Sequence, residues 1–172
     1  CFLRKQIVEG KRQMKKYILA SASPRRKELL SQIGIAFQID VSNAEEKTKS
    51  DMPGTIVMDL SYLKAMEVFK RQSEDVIVIG ADTIVYANGK VLGKPKDVQD
   101  AYEMIHMLQG AVHQVYTGVT LVWQENMEVR NASFYEMTEV EVYPMSDEEI
   151  NQYVSMKEPY DKDGGYAVQG YV

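Results

Sequence analysis

Four β-branched residues in a row, Val76-Ile77-Val78-Ile79, run directly into Gly80-Ala81-Asp82-Thr83. A run with no polar face marks a short strand buried on both sides. Such a strand needs elements to cover it, and the rest of the chain supplies them. Residues 16–20 (KYILA) read as a strand. Ser23-Pro24 reads as the N-cap and first position of a helix that carries Leu29, Leu30 and Ile33 on one face and stops at Gly34. Residues 37–41 alternate as a second strand, and residues 42–54 form a polar loop ending in Pro53-Gly54. Residues 55–71 read as a long helix with Ile56, Val57, Leu60, Leu63 and Val68 as its buried stripe.

After the apolar strand, residues 83–87 and 90–92 flank Asn88-Gly89, a strong hairpin signal. Asp97 caps a third helix bearing Val98, Ala101, Ile105 and Leu108, ended by Gly110. Residues 112–124 and 129–143 read as two long strands joined near Glu125-Asn126. Ser146 and Glu149 make a capping box for a helix ending near Val154. The order β-α-β-α-ββ-α-ββ-α predicts an α/β fold with a mixed sheet.

A chain of 172 residues, 45% hydrophobic and 26% charged, has the composition of one globular domain of one or two lobes. Cys1 is the only cysteine, which excludes an internal disulfide and a cysteine-based zinc site. No apolar run approaches the ~20 residues of a membrane span. Nothing reads as a signal peptide, so the expected location is the cytoplasm. Residues 1–16 carry six Lys/Arg and one Glu within a chain of net charge −5. The acidic remainder argues against a broad nucleic-acid-binding face. Residues 1–15 are read as a basic, solvated extension, with Met14 a plausible start and the folded domain spanning 16–172.

Five segments could carry chemistry. In Ser21-Ala22-Ser23-Pro24-Arg25-Arg26 a strand turns into a helix start, whose free N–H groups favour an anion. Two arginines there oppose the helix dipole unless a phosphate joins them. This is not a Walker A loop. Asp82 follows the apolar strand and is expected at its carboxyl end, where open α/β sheets bind ligands. Glu45-Glu46 could share a divalent cation with it. Lys94 in Gly93-Lys94-Pro95, and Lys64 on the long helix, could reach a phosphate as point charges. Gln169, in the glycine-rich segment 158–170, could meet the edge of a nucleobase. Taken alone, each has an ordinary reading as a solvated charge or a turn. His106 and His113 do not form a metal motif and are read as structural.

Together the segments S-x-S-P-R-R, G-A-D-T, G-K-P, H-x-V-x-T-G-V and E-P-x-D-K-x-G-x-Y-x-x-Q-G, in that order, make residues 16–172 resemble the Maf family of nucleoside triphosphate pyrophosphatases. The resemblance implies a mixed, twisted sheet with flanking helices and two lobes around a cleft, related to the inosine triphosphate pyrophosphatases. It implies hydrolysis of a nucleoside triphosphate to monophosphate and pyrophosphate with Mg²⁺ or Mn²⁺, in a homodimer. By motif, Ser21, Arg25 and Arg26 would grip the triphosphate and Lys64 would contact phosphate. Glu46 and Asp82 would hold the metal, Asp82 would also serve as base, and Lys94 would neutralise developing charge. Gln169 would read the base and favours dTTP and UTP, because the branch acting on 7-methyl-GTP tends to carry Glu there. Asp163 stands where the family usually has Ala. The family also continues past Gln169-Gly170 with a strand and a helix, so a domain lacking them is expected. The competing expectations are a non-catalytic nucleotide or partner binder linked to septum formation, an inactive truncated fragment, and a nucleotidyltransferase.

Overall fold

The computed structural model describes residues 15–73, 75–156 and 158–166. Gln169 and nearly all of the basic extension lie outside the described residues. The order of elements is β1 (Lys16–Leu19), α1 (Pro24–Gln32), β2 (Phe37–Ile39), α2 (Pro53–Lys70), β3 (Val76–Ala87), β4 (Lys90–Leu92), α3 (Val98–Leu108), β5 (Val112–Glu125), β6 (Glu128–Glu141) and α4 (Asp147–Val154). Two short 3-10 turns follow, at Glu158–Asp161 and Asp163–Gly165. The strands form one mixed sheet in the order β2-β1-β3-β5-β6, with β4 added to β3. The α/β class and the mixed sheet are as the sequence predicts. Among the described residues no helix is long and apolar enough to cross a membrane.

The central strand differs from expectation. The sequence suggests two strands broken at Gly80, with Asp82 past the end of the first; the structure has one strand from Val76 to Ala87, with Asp82 in its middle. Glycine in a strand pattern signals either a break or a close backbone approach, and here it is the second. A Cβ at Gly80 would lie 2.1 Å from the Ser61 carbonyl oxygen on α2. Gly118 on β5 repeats the device, with the Val57 carbonyl oxygen 2.3 Å from the place of its missing Cβ. The backbone of α2 therefore rests almost directly on the sheet. Small residues face it: Ser61 and Ala65 are buried, whereas Leu63, expected in the buried stripe, is only partly covered.

Two edges of β3 are used differently. One edge pairs continuously with antiparallel β5, from Ile77↔Trp123 to Tyr86↔Gln114. On the other edge, parallel β1 takes residues 76–79 and antiparallel β4 takes 85–87. Among the described residues no strand pairs with 80–84 on that edge. Two hydrophobic clusters lie toward the two ends of β3, to either side of this notch. On one side, α2 covers Ile18, Ala20, Val76, Val78 and Val122 with Ala65 and Val68. On the other, α3 and α4 bury Ile105, Leu108, Ile150 and Val154 against Val85, Ala87 and Leu92.

The turns follow sequence chemistry. Asn88 and Gly89 both have positive φ, as a two-residue hairpin demands. Asp97 Oδ1 accepts the Asp100 N–H at 2.8 Å, and Ser146 and Glu149 form the capping box. Helix α1 departs from expectation in two ways. Ser23 makes no side-chain cap bond, and no residue of α1 is buried, so Leu29 and Ile33 stay exposed.

Candidate active site

Three segments converge on the notch. The first is the β1–α1 turn. Ser21, buried at the end of β1, uses its Oγ to accept the Ser23 N–H at 3.2 Å and the Arg26 Nη1–H at 3.1 Å. Ser21 thus holds the turn that precedes α1, and the helix start itself is left without a side-chain cap. Arg26 Nη2 also donates to Thr83 Oγ1 at 3.4 Å. Burial pulls the guanidinium below its ordinary pKa, against the pull of Asp82, Asp163 and Glu46. Arg25 is placed elsewhere: it is exposed and bonded to Glu28 at 2.9 Å. The structure brings Arg26 to the notch and leaves Arg25 outside.

The second segment is β3. Successive side chains alternate faces, so Asp82 and Thr83 point to opposite sides of the sheet. Asp82, 5% exposed, faces α2, where Lys64 Nζ lies 2.5 Å from its Oδ1. Burial pushes the Asp82 carboxyl above the usual range, the Lys64 bond and charge pull it down, and Glu46 raises it further. Lys64 Nζ also lies 3.0 Å from Glu46 Oε1. Glu46 reaches it because its loop is tied along α2 on both sides. Glu67 accepts from Ser42 Oγ and Asn43 N, each at 3.1 Å, and Asp59 accepts from Thr48 Oγ1 at 2.6 Å.

The third segment joins Gly93-Lys94-Pro95 to the turn at Asp163. The Gly164 N–H donates to the Gly93 carbonyl at 3.0 Å. Burial raises the Asp163 carboxyl, Asp82 and Glu46 add to the rise, and Lys94 and Lys64 oppose it. The extra carboxylate therefore lies within the field of the site. Among the described residues three cations (Arg26, Lys64 and Lys94) and three carboxylates (Glu46, Asp82 and Asp163) share it.

The chemistry of this set suits a charged phosphate ester. Helix α1 begins with no side-chain cap and no acid in its first turn, which leaves its positive end to an anion. Among the described residues no three His, Cys, Asp or Glu are grouped as a metal cage. Two carboxylates facing one ammonium nevertheless fit a cation that takes its other oxygens from substrate phosphates. Thr83 and Thr117 belong to this neighbourhood and were not singled out from the sequence. Their signal was present in the G-A-D-T and T-G-V segments, but a threonine in a strand pattern reads first as a β-former.

Comparison with known proteins gives the family. A dTTP/UTP pyrophosphatase of Lachnoclostridium phytofermentans is 48% identical over 158 residues, covering 91% of this chain and 80% of that protein. A dTTP/UTP pyrophosphatase of Thermoanaerobacter sp. (strain X514) is 50% identical over 155 residues, covering 90% and 80%. A solved HAM1 protein from Coxiella burnetii aligns at a TM-score of 0.47 and 15% identity over 71% of this chain and 72% of its own, a likeness too slight to bear on the site. The family described as Maf-like protein matches residues 16–172. On that match, and on relatives about half identical over most of both chains, the chain belongs to the Maf family.

Proposed function

We propose that this chain hydrolyses nucleoside triphosphates, dTTP and UTP foremost, to nucleoside monophosphate and pyrophosphate. The observation that carries the reading is the convergence of Arg26 and Asp82 on the notch in β3, in a chain about half identical to proteins named dTTP/UTP pyrophosphatase. Arg26 and Lys94 bind the phosphate oxygens, Arg26 through a fork that matches their spacing. The positive end of α1 supports the same charge. Asp82 orients a water and takes its proton, and burial makes its carboxylate the more willing acceptor. The water oxygen attacks in line at the α–β phosphoanhydride, the bridging P–O bond breaks, and pyrophosphate leaves. Lys64 holds Asp82 in place until substrate arrives and then turns to phosphate. A divalent cation held by Glu46 and Asp82 would supply Lewis-acid polarisation of the phosphate oxygens. Gln169 reads the pyrimidine edge.

The test is product release with Mg²⁺ or Mn²⁺ from dTTP, UTP, CTP, ATP, GTP and 7-methyl-GTP. Pyrophosphate from dTTP and UTP, reduced at least about 10²-fold in Asp82→Asn, supports the reading. Orthophosphate as the product, or full activity of Asp82→Asn, overturns it. Nucleotide affinity without turnover favours a binding role.

A further inference from the structure

The H-x-V-x-T-G-V segment on β5 supplies no group to the reaction described above, yet Thr117 lies two hydrogen bonds behind Arg26, with Thr83 between them. Thr83 and Thr117 are directly paired across the β3–β5 ladder, with their Oγ1 atoms 3.1 Å apart. Thr83 Oγ1 in turn accepts from Arg26 Nη2. We propose that Thr117 is a positioning residue that fixes Arg26 toward the substrate phosphates through the hydroxyl of Thr83. The proposal rests on the triphosphate reading of the notch.

The argument begins with what holds Arg26. Among the described residues its bonded partners are two hydroxyls, Ser21 Oγ and Thr83 Oγ1. Arg25 instead spends its charge on Glu28. An arginine held by neutral acceptors keeps its net charge for an incoming anion. The cost is that a hydroxyl is a rotor, with one proton and two lone pairs. If the proton of Thr83 points at Arg26, the bond becomes a repulsion. Thr83 must donate its proton elsewhere, and Thr117 Oγ1 is the acceptor in place. The chain of donation runs from the Arg26 guanidinium to Thr83 and from Thr83 to Thr117. The continuous β3–β5 register prevents the pair from slipping.

A second hydroxyl chain on the same strand shows the contrast. Thr120, three residues on, faces the opposite side and bonds to Ser61 and Ser133, each at 2.8 Å. That chain ties β5 to α2 and β6 and reaches none of the site's cations. Thr120→Val therefore serves as the structural control.

The experiment is a double-mutant cycle of Thr117→Val with Arg26→Ala, read twice: as kcat and KM for dTTP, and as calorimetric Kd for dTTP without divalent metal. Thr117→Val is expected to raise KM and Kd about tenfold in the wild-type background and to have no further effect on Arg26→Ala. Thr117→Ser restores both values, and Thr120→Val lowers the thermal midpoint without changing Kd. Thr117→Ala replaces Thr117→Val in the cycle if the valine variant does not fold. Equal effects of Thr117→Val in both backgrounds, or none in either, overturn the proposal while the turnover of the wild type leaves the pyrophosphatase reading standing. A wild type that binds dTTP without turnover fails that reading, and the Kd cycle still decides the role of Thr117. A wild type that neither turns over nor binds dTTP overturns both.

Discussion

The ammonium of Lys64 sits 2.5 Å from the carboxylate of Asp82, on the face of β3 that α2 covers. Lys64 lies in the segment of α2 between Ser61 and Ala65, where the helix backbone touches Gly80. One close helix–sheet contact thus places the central ion pair, and Glu46 completes it from the loop.

Removing one member of this pair strands the other. Lys64→Met leaves Asp82 buried without its main cation, and a loss of roughly 3 kcal/mol in urea unfolding is expected. Adding Asp82→Asn to Lys64→Met should recover most of that loss. A double variant as unstable as the single one would show that Lys64 acts by packing rather than by charge.

The two arginines of α1 should separate in function. Arg26→Ala is expected to lower kcat/KM for dTTP by about 10- to 100-fold, the range for losing a charge-assisted hydrogen bond to phosphate. Arg25→Ala, which breaks an exposed pair with Glu28, should stay within about threefold. Pyrophosphate-release kinetics on the two variants decide it, and a larger effect at Arg25 would place the wrong arginine in the site.

Gly118→Ala puts a methyl group against the Val57 carbonyl, which belongs to helix backbone and cannot rotate away. The expected loss is about 3 kcal/mol, the upper end for overpacking. Gly93→Ala, with nothing within 4 Å of the added Cβ, is the matched control. Urea midpoints of the two variants should differ clearly.

His113 is buried with Nε2 bonded to the Tyr166 hydroxyl, and burial lowers its pKa. The unfolded chain therefore binds more protons than the folded one just below the ordinary histidine value of about 6.5. Stability is fully present above that value and is lost as pH falls toward the depressed folded pKa. A thermal midpoint followed from pH 7.5 to 5.5 should drop, and the drop should flatten in His113→Gln. The Tyr166 hydroxyl, pushed up to about 12 by burial, gives the alkaline counterpart: stability falls as pH rises above 10.

In the β5–β6 turn, Met127 has φ +65° and is 92% exposed. It bears the strain of a left-handed residue and loses no packing on removal. Met127→Gly should add about 1 kcal/mol of stability by urea unfolding. No gain would mean that the turn carries little strain.

Local rules in the sequence determined most of the elements. The Asn88-Gly89 hairpin, the Asp97 cap and the Ser146–Glu149 box are written in adjacent residues, because each depends on contacts only a few positions apart. The ordered motifs likewise pointed to the family and to Arg26, Lys64, Asp82, Glu46 and Lys94. What the sequence could not decide was which side chains meet. Gly80 reads as a strand break until α2 is seen lying on it, and Asp82 then moves from the end of a strand to its middle. Ser23 makes no cap bond, and its own N–H is held by Ser21. Arg26 rather than Arg25 enters the notch, because one position along α1 turns a side chain by about 100°. The Thr83–Thr117 pair depends on the register of two strands more than thirty residues apart in sequence. Those relationships belong to long-range packing, which has no local signature and exists only once the helix and the sheet have closed on each other.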